Sequence, residues 1–159
     1  MPNFLEHLRK SNENLVFLEK ISNFDNYWDW KVTVSFYVAL HLINAHIAKK
    51  IDAHYRSHNK VENAINPFNE ISPTKLNDDI YKSYIKLQNL SRRARYLVHD
   101  KPDEKSDNVF FTYDKHFKKS IIHLDNIISF FENEYNYHLN TIQLPKYIEV
   151  NEVNHIKFH

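Results

Sequence analysis

YKSYIKLQNLSRRARYLVHD, residues 81–100, is the stretch from which the rest of the chain is best read. No acid occurs from Tyr81 to His99, while Lys82, Lys86, Arg92, Arg93 and Arg95 accumulate and Asp100 ends the run. At about 100° per residue a helix here sorts its side chains into faces. Leu87, Leu90, Ala94, Leu97 and Val98, with Leu76 and Ile80 upstream, form the apolar stripe of a helix docked on a core. Lys82, Lys86, Asn89 and Arg93 fall on the solvent side. Gln88, Arg92, Arg95 and His99 share a narrow polar stripe at the border of the core, within about 60° of arc. That stripe needs an explanation beyond packing.

The chain has 159 residues, 42% hydrophobic and 26% charged, which predicts one folded domain with a real core. Its formal net charge is +1, so a nucleic-acid reading has to rest on local clustering. Cysteine is absent, which excludes disulfides, thiolate zinc sites and cysteine nucleophiles. Glycine is absent too, which removes the phosphate-cradling loops of P-loop and dinucleotide-binding proteins and disfavours tight hairpins. The N-terminus lacks a signal-type apolar run and no stretch reaches about 18 consecutive apolar residues. The expectation is a cytoplasmic protein with no membrane association.

An all-α, antiparallel bundle of four to five helices follows, occupying residues 1–138, with an extended tail over 139–159. Phe4 to Ile21 reads as the first helix, with Pro2 suited to a first turn and a break or bend expected at residues 11–14. Asp25 or Asn26 is the expected cap of a second helix from Tyr27 to Ile51. The middle of that helix, VTVSFYVALHLINAHIA, is apolar nearly all round, the mark of the central helix of a bundle. Tyr37, His41 and Asn44 form a polar strip on it, adjoining Trp30 and Val34. A short helix from His58 to Ile65 follows, with Ser57 as its cap. The long basic helix runs from near Thr74 to His99, then a polar loop, then a last helix starting at Thr112 or Asp114. Phe117, Ile121, Leu124, Ile128, Phe131 and Tyr135 step by four and three, a seam for the core or for a second subunit. Ile142, Leu144, Ile148 and Val150 alternate around Pro145 in the tail.

His54 and His58 are four apart, a spacing zinc sites use, but with Ser57 as a cap they straddle a helix start and share no face. No HExxH pattern accompanies them, and neither a metal nor another cofactor is expected. Arg92, Arg95 and His99 lie near the carboxyl end of their helix, where cations offset the macrodipole by about 0.3–1 kcal/mol each. That accounts for positive charge, not for two arginines on the core-flanking stripe. Guanidinium forks grip phosphate, and a histidine titrating near neutrality moves protons. With RNA the pair suffices for cleavage, because the substrate's 2′-hydroxyl is itself the nucleophile.

Arg92, six residues, then His99 meets a short signature, an arginine followed after four to six residues by a histidine near the end of a late helix. With DWKVTVSFYVALHLINAHIA, a loop carrying SHNK, and Y-x-x-L-x-x-x-S-R-x-x-R-Y at Tyr84 to Tyr96, the chain resembles the HEPN domains, small helical bundles of prokaryotic defence and toxin systems. The resemblance implies a homodimer that brings two Arg/His motifs into one cleft for metal-independent RNA cleavage, leaving 2′,3′-cyclic phosphate, under the control of an antitoxin or effector partner. Carried over by position, Arg92 and His99 are the catalytic pair. Arg95, His41 and His58 fall at recurrent polar positions, and Gln88, Tyr37 and Asn44 complete the supporting, phosphate-binding set. Two departures accompany it: Arg93 follows Arg92 where a small polar residue is usual, and Lys101 stands where a modified tyrosine occurs in some toxin pairs. The alternatives are an inactive HEPN-like module that binds nucleotide, RNA or an acidic partner, and a structural bundle in which Arg92 and Arg95 pair with Asp100 or Glu104.

Overall fold

The computed structural model describes residues 1–96 and 111–159. Five α-helices carry the described chain: α1 (Phe4–Ser22), α2 (Trp28–Ile51), α3 (His58–Ile65), α4 (Asp78–Tyr96) and α5 (Asp114–Tyr135). Two short strands, β1 (Gln143–Leu144) and β2 (Lys157–Phe158), flank a 3-10 turn at Lys146–Ile148. The protein is an all-α bundle, and α2 is its centre, packing against α1, α3, α4 and α5. Its all-round apolar character is the reason: Val32, Phe36, Val38, Ala39, Leu42, Ala45 and Ile47 point in several directions and all are fully buried.

Helix α1 starts with a reciprocal cap, Asn3 Oδ1 accepting from the Glu6 amide at 3.0 Å while Glu6 accepts from the Asn3 amide at 2.7 Å. It runs unbroken through residues 11–14, against the expectation of a bend. Ser11 is buried and donates to the Val38 carbonyl across the α1–α2 contact, at 3.2 Å, so its hydroxyl competes with no helical bond of its own strand of turns. The apolar residues of α1 also divide unexpectedly: Leu5 and Phe17 are exposed, while His7, Ser11 and Ser22 are buried.

Neither Asp25 nor Asn26 caps α2. The cap position is Tyr27, held at φ 61° and ψ 38° with no side-chain cap bond. Lys31 dominates this end instead. It is fully buried, its ammonium donating to the Phe24 carbonyl and lying 3.9 Å from the centre of the Trp28 ring. The carbonyl and the ring face replace part of the hydration that burial removes. Trp30, by contrast, is exposed and takes no part in the Tyr37 strip.

Helix α4 begins at Asp78, later than the expected Thr74. Thr74 and Leu76 are drawn into the connection from α3, where their amides bond the Ala64 and Ile65 carbonyls at 3.0 Å. Asn77 then caps α4 by accepting from the Ile80 amide at 2.9 Å. The seam of α5 is used within the chain, since Phe117, Ile121, Leu124, Ile128 and Phe131 are buried in the core.

The tail does lie over the bundle, but as more than an extended segment. β1 and β2 pair in parallel, Gln143 beside Lys157 and Leu144 beside Phe158. Asp125 of α5, nearly inaccessible, accepts three backbone amides of the tail, those of Asn154, His155 and Ile156, at 2.8, 2.8 and 3.1 Å. On α1 the tail is tied by Asn12 to the Asn140 amide, by Glu19 to the Gln143 amide, and by the Tyr147 hydroxyl to the Ser22 carbonyl. Among the described residues no helix is long and apolar enough to cross a membrane.

Candidate functional site

Helix α4 turns two kinds of side chain inward. Leu87 and Ala94 are apolar; Tyr84, Gln88 and Ser91, stepping by four and three, are polar and equally buried. One turn further the same line reaches Arg95. This strip meets Phe36 of α2, whose ring gathers the surrounding groups. Tyr84 lies with its ring centre 5.9 Å away, His58 of α3 at 5.4 Å and Tyr37 at 5.9 Å. The Arg95 guanidinium is 5.7 Å from the Phe36 ring, 5.7 Å from Tyr37 and 5.0 Å from Tyr96. It also donates to the Tyr37 hydroxyl and to the Ser91 carbonyl, both at 3.4 Å. Three aromatic rings thus hold the fork half-buried at the edge of the core, with no carboxylate among the described residues in ion-pair reach.

The polar atoms beneath it are incompletely satisfied. Tyr84 Oη, Gln88 Oε1, Ser91 Oγ and His58 Nδ1 are buried without a hydrogen-bond partner among the described residues. Leaving such a group unpaired costs about 1–3 kcal/mol each, so four on neighbouring positions mark a place built for something other than packing. Burial lowers the pKa of His58, and the positive charges of Arg95 and then Arg92 lower it further, so the ring stays neutral at neutral pH. Burial pushes the Tyr84 phenol far up, with Glu62 adding to it. Arg92 itself is exposed one turn before Tyr96, beside this group.

Gln88, Arg95, Tyr37 and His58 are therefore brought together, with Arg92 at their rim. His99 lies outside the described residues, as do Leu97, Val98, Asp100, Lys101 and Glu104. His41 and Asn44, although on the same edge of α2, serve other partners. Asn44 accepts from the Tyr55 amide at 3.3 Å and fixes the loop before α3. His41 Nδ1 lies 3.2 Å from His7 Nδ1, and His7 Nε2 lies 3.1 Å from His54 Nδ1. The charges acting on His41 come from His7, Lys10, His54 and Glu13, not from Arg92 or Arg95. His54 and His58 go their separate ways as the capping argument required, one to His7 and the other to Phe36. Among the described residues no group of three or more His, Asp or Glu side chains is arranged to hold a metal ion.

Sequence reasoning missed the chain of imidazoles. His7 falls on the buried line of α1 with Leu8, Ser11, Leu15 and Leu18, which was the available signal; its partners lie 34 and 47 residues away, which nothing local announces. It also missed Tyr84 and Ser91 as buried polar groups: both stand in the motif at Tyr84 to Tyr96 but belong to neither the apolar nor the polar stripe read from the sequence of the helix. No protein-family model, curated protein or solved structure matches the chain.

Proposed function

We propose that the chain is a HEPN-type endoribonuclease in which Arg92 and Arg95 take the scissile phosphate and His99 moves a proton. The observation that supports this best is the Arg95 guanidinium, fixed by three rings above four unpaired polar atoms, with the exposed Arg92 beside it. A fork held in place by rings, with no carboxylate in reach among the described residues, receives a phosphate at little cost in side-chain entropy. In the reaction the substrate's 2′-oxygen bonds to phosphorus as its proton leaves to a base. The bond from phosphorus to the 5′-oxygen breaks, and His99 protonates the departing oxygen. A 2′,3′-cyclic phosphate and a 5′-hydroxyl result. The arginines lower the barrier by balancing charge on the crowded phosphorus. Two copies of the chain, each contributing Arg92 and His99 to one cleft, form the working unit in this reading, in a prokaryotic defence or toxin–antitoxin setting and under the control of an antitoxin or effector partner.

A labelled RNA incubated with purified protein in chelator tests the reading. Cyclic-phosphate ends that vanish in His99→Ala and fall sharply in Arg92→Ala are expected; equal cleavage by the His99 variant rejects it. A second reading, a module that binds RNA or nucleotide without cutting, is favoured by how firmly Arg95 is held. Binding then survives His99→Ala, weakens in Arg95→Ala and falls steeply with salt, and no product forms at any protein concentration.

A further inference from the structure

The opposite side of α4 carries a different feature. Lys86 and Arg95 are nine residues apart, half a turn out of phase, so they face away from each other. On the Lys86 side α4 and α5 enclose an open groove of about 780 Å³, and a second hollow of about 380 Å³ shares Lys86 and His123 with it. The two helices run antiparallel here, pinned where Asn126 donates to the Ser83 hydroxyl at 3.3 Å.

The groove has two unlike ends. At one, Lys86 of α4 meets His123 of α5, with Lys82 a turn further along the groove and Lys119 lining the adjoining hollow. No carboxylate among the described residues lies within 4.0 Å of these lysine ammoniums. His123 Nδ1 is buried and has no hydrogen-bond partner among the described residues. Burial lowers the pKa of this ring first, and Lys86 and Lys119 lower it further. Two ammoniums with no carboxylate near them among the described residues, beside an imidazole, are the equipment of an anion site. At the other end Asn133 and Asn154 present amides beside the ring of Phe130, while Asp79 and Glu134 line the rim. Glu134 is held by Lys50 at 2.8 Å. Those carboxylates oppose a second phosphate, whereas amides and an aromatic ring suit a flat, hydrogen-bonding group. The volume is within the usual range for small-molecule sites, about 300–1,000 Å³.

We propose that this groove is a second binding site, distinct from the Arg95 strip, that takes a nucleoside monophosphate. Its phosphate lies between Lys86 and His123, with Lys119 reaching in from the adjoining hollow, and its base lies towards Phe130. The same unit reaches the groove either as a free nucleotide or as one residue of an RNA strand, and the two sources separate experimentally. Calorimetric titration at low salt compares inorganic phosphate, AMP and a single-stranded pentaribonucleotide against three proteins: wild type, Lys86→Gln/Lys119→Gln and Arg92→Gln/Arg95→Gln. Lys86 and Lys119 are exposed, so their replacement leaves the core untouched. AMP is expected to bind wild type at least about tenfold more tightly than phosphate does, and to lose at least about tenfold in the lysine variant. The arginine variant is expected to bind AMP as wild type does. A pentaribonucleotide that binds more tightly than AMP, with the same dependence on the lysines, supports the site and names a strand as its source. The proposal is overturned if AMP binds no better than phosphate, if the lysine variant binds unchanged, or if the arginine variant alone loses binding. Because neither arginine enters this site, a failure here leaves the cleavage reading standing, and the reverse holds.

Discussion

His7 sits between two other imidazoles, and the arithmetic of their protons limits what pH the fold tolerates. A neutral imidazole has one donor and one acceptor, so a line of three rings joined by two bonds has one consistent direction. A second proton on the line sets donor against donor. Burial holds the pKa of His7 and of His41 down at about 4, and each ring's positive neighbours add to it: His54 for His7; His7, Lys10 and His54 for His41, against the opposing pull of Glu6 and Glu13. Both values lie below the ordinary 6.5, so the unfolded chain binds more protons than the folded one across the interval between them. The stabilisation is complete above about pH 6.5 and is lost as pH falls towards about 4. The melting midpoint should be flat above pH 7 and drop by roughly 5–10 °C by pH 5. His46, His58, His116 and His123 shift in the same direction. The His7→Gln/His41→Gln pair should therefore reduce the slope of midpoint against pH without abolishing it, and an unchanged slope would refute the account. Arg95 makes a separate prediction at this scale. Arg95→Lys keeps the charge but loses the flat face against Phe36, Tyr37 and Tyr96, so if the strip receives RNA, affinity measured at fixed salt should fall about tenfold.

Helix ends and tail contacts set the terms at the next scale. Without glycine, left-handed positions fall to residues with a β-carbon: among the described residues Tyr27, Asp52, Asn136 and Glu152 have φ of 61°, 50°, 49° and 68°. Such a residue sits about 1–2 kcal/mol above its right-handed minimum, and glycine avoids that at some entropic cost. Asp52→Gly, closing α2 where the backbone amide of Asp52 bonds the Ala48 carbonyl at 3.0 Å, should raise the melting midpoint by about 2–4 °C. Asp125→Ala tests the tail. Three amides lose a buried acceptor, and a loss of about 3 kcal/mol is expected by denaturant titration, with faster amide exchange confined first to residues 139–159. The elements themselves were largely legible: α2 from its all-round apolar run, α4 and α5 from their stripes, and the near absence of strands from the missing glycine. What could not be read was where helices start. Asp25 and Asn26 are good caps that lose to Tyr27 because the buried Lys31 ties the Phe24 carbonyl to the helix start. Thr74 likewise gives up its helix for bonds to Ala64.

Over the whole molecule, polar groups fall into three separate places, and the sequence suggested only one. Gln88, Tyr37 and Arg95 could be linked because helical spacing fixes which face each occupies and α2 and α4 are adjacent, whereas His58, on α3, enters only through the resemblance. His41 shared that spacing with Tyr37 yet turned to α1, since the choice between two flanking helices depends on packing that no single helix records. The groove between α4 and α5 was not legible as a groove: Lys82 and Lys86 fall on the solvent side of α4, and exposed polar residues on two helices look like any solvated face. If cleavage is the function, its rate should fall with salt in wild type and fall less steeply in Arg92→Gln/Arg95→Gln, as fewer counterions are released. The tail carries one more consequence. Asn140, Gln143 and Tyr147 fasten onto α1 across 128, 124 and 125 residues of sequence. On the ribosome, therefore, α1 and α2 can pair early, but the flank of α1 that receives β1 stays bare until translation has passed Leu144. For that interval the nascent bundle has a sticky side, the stage at which a chaperone is most needed.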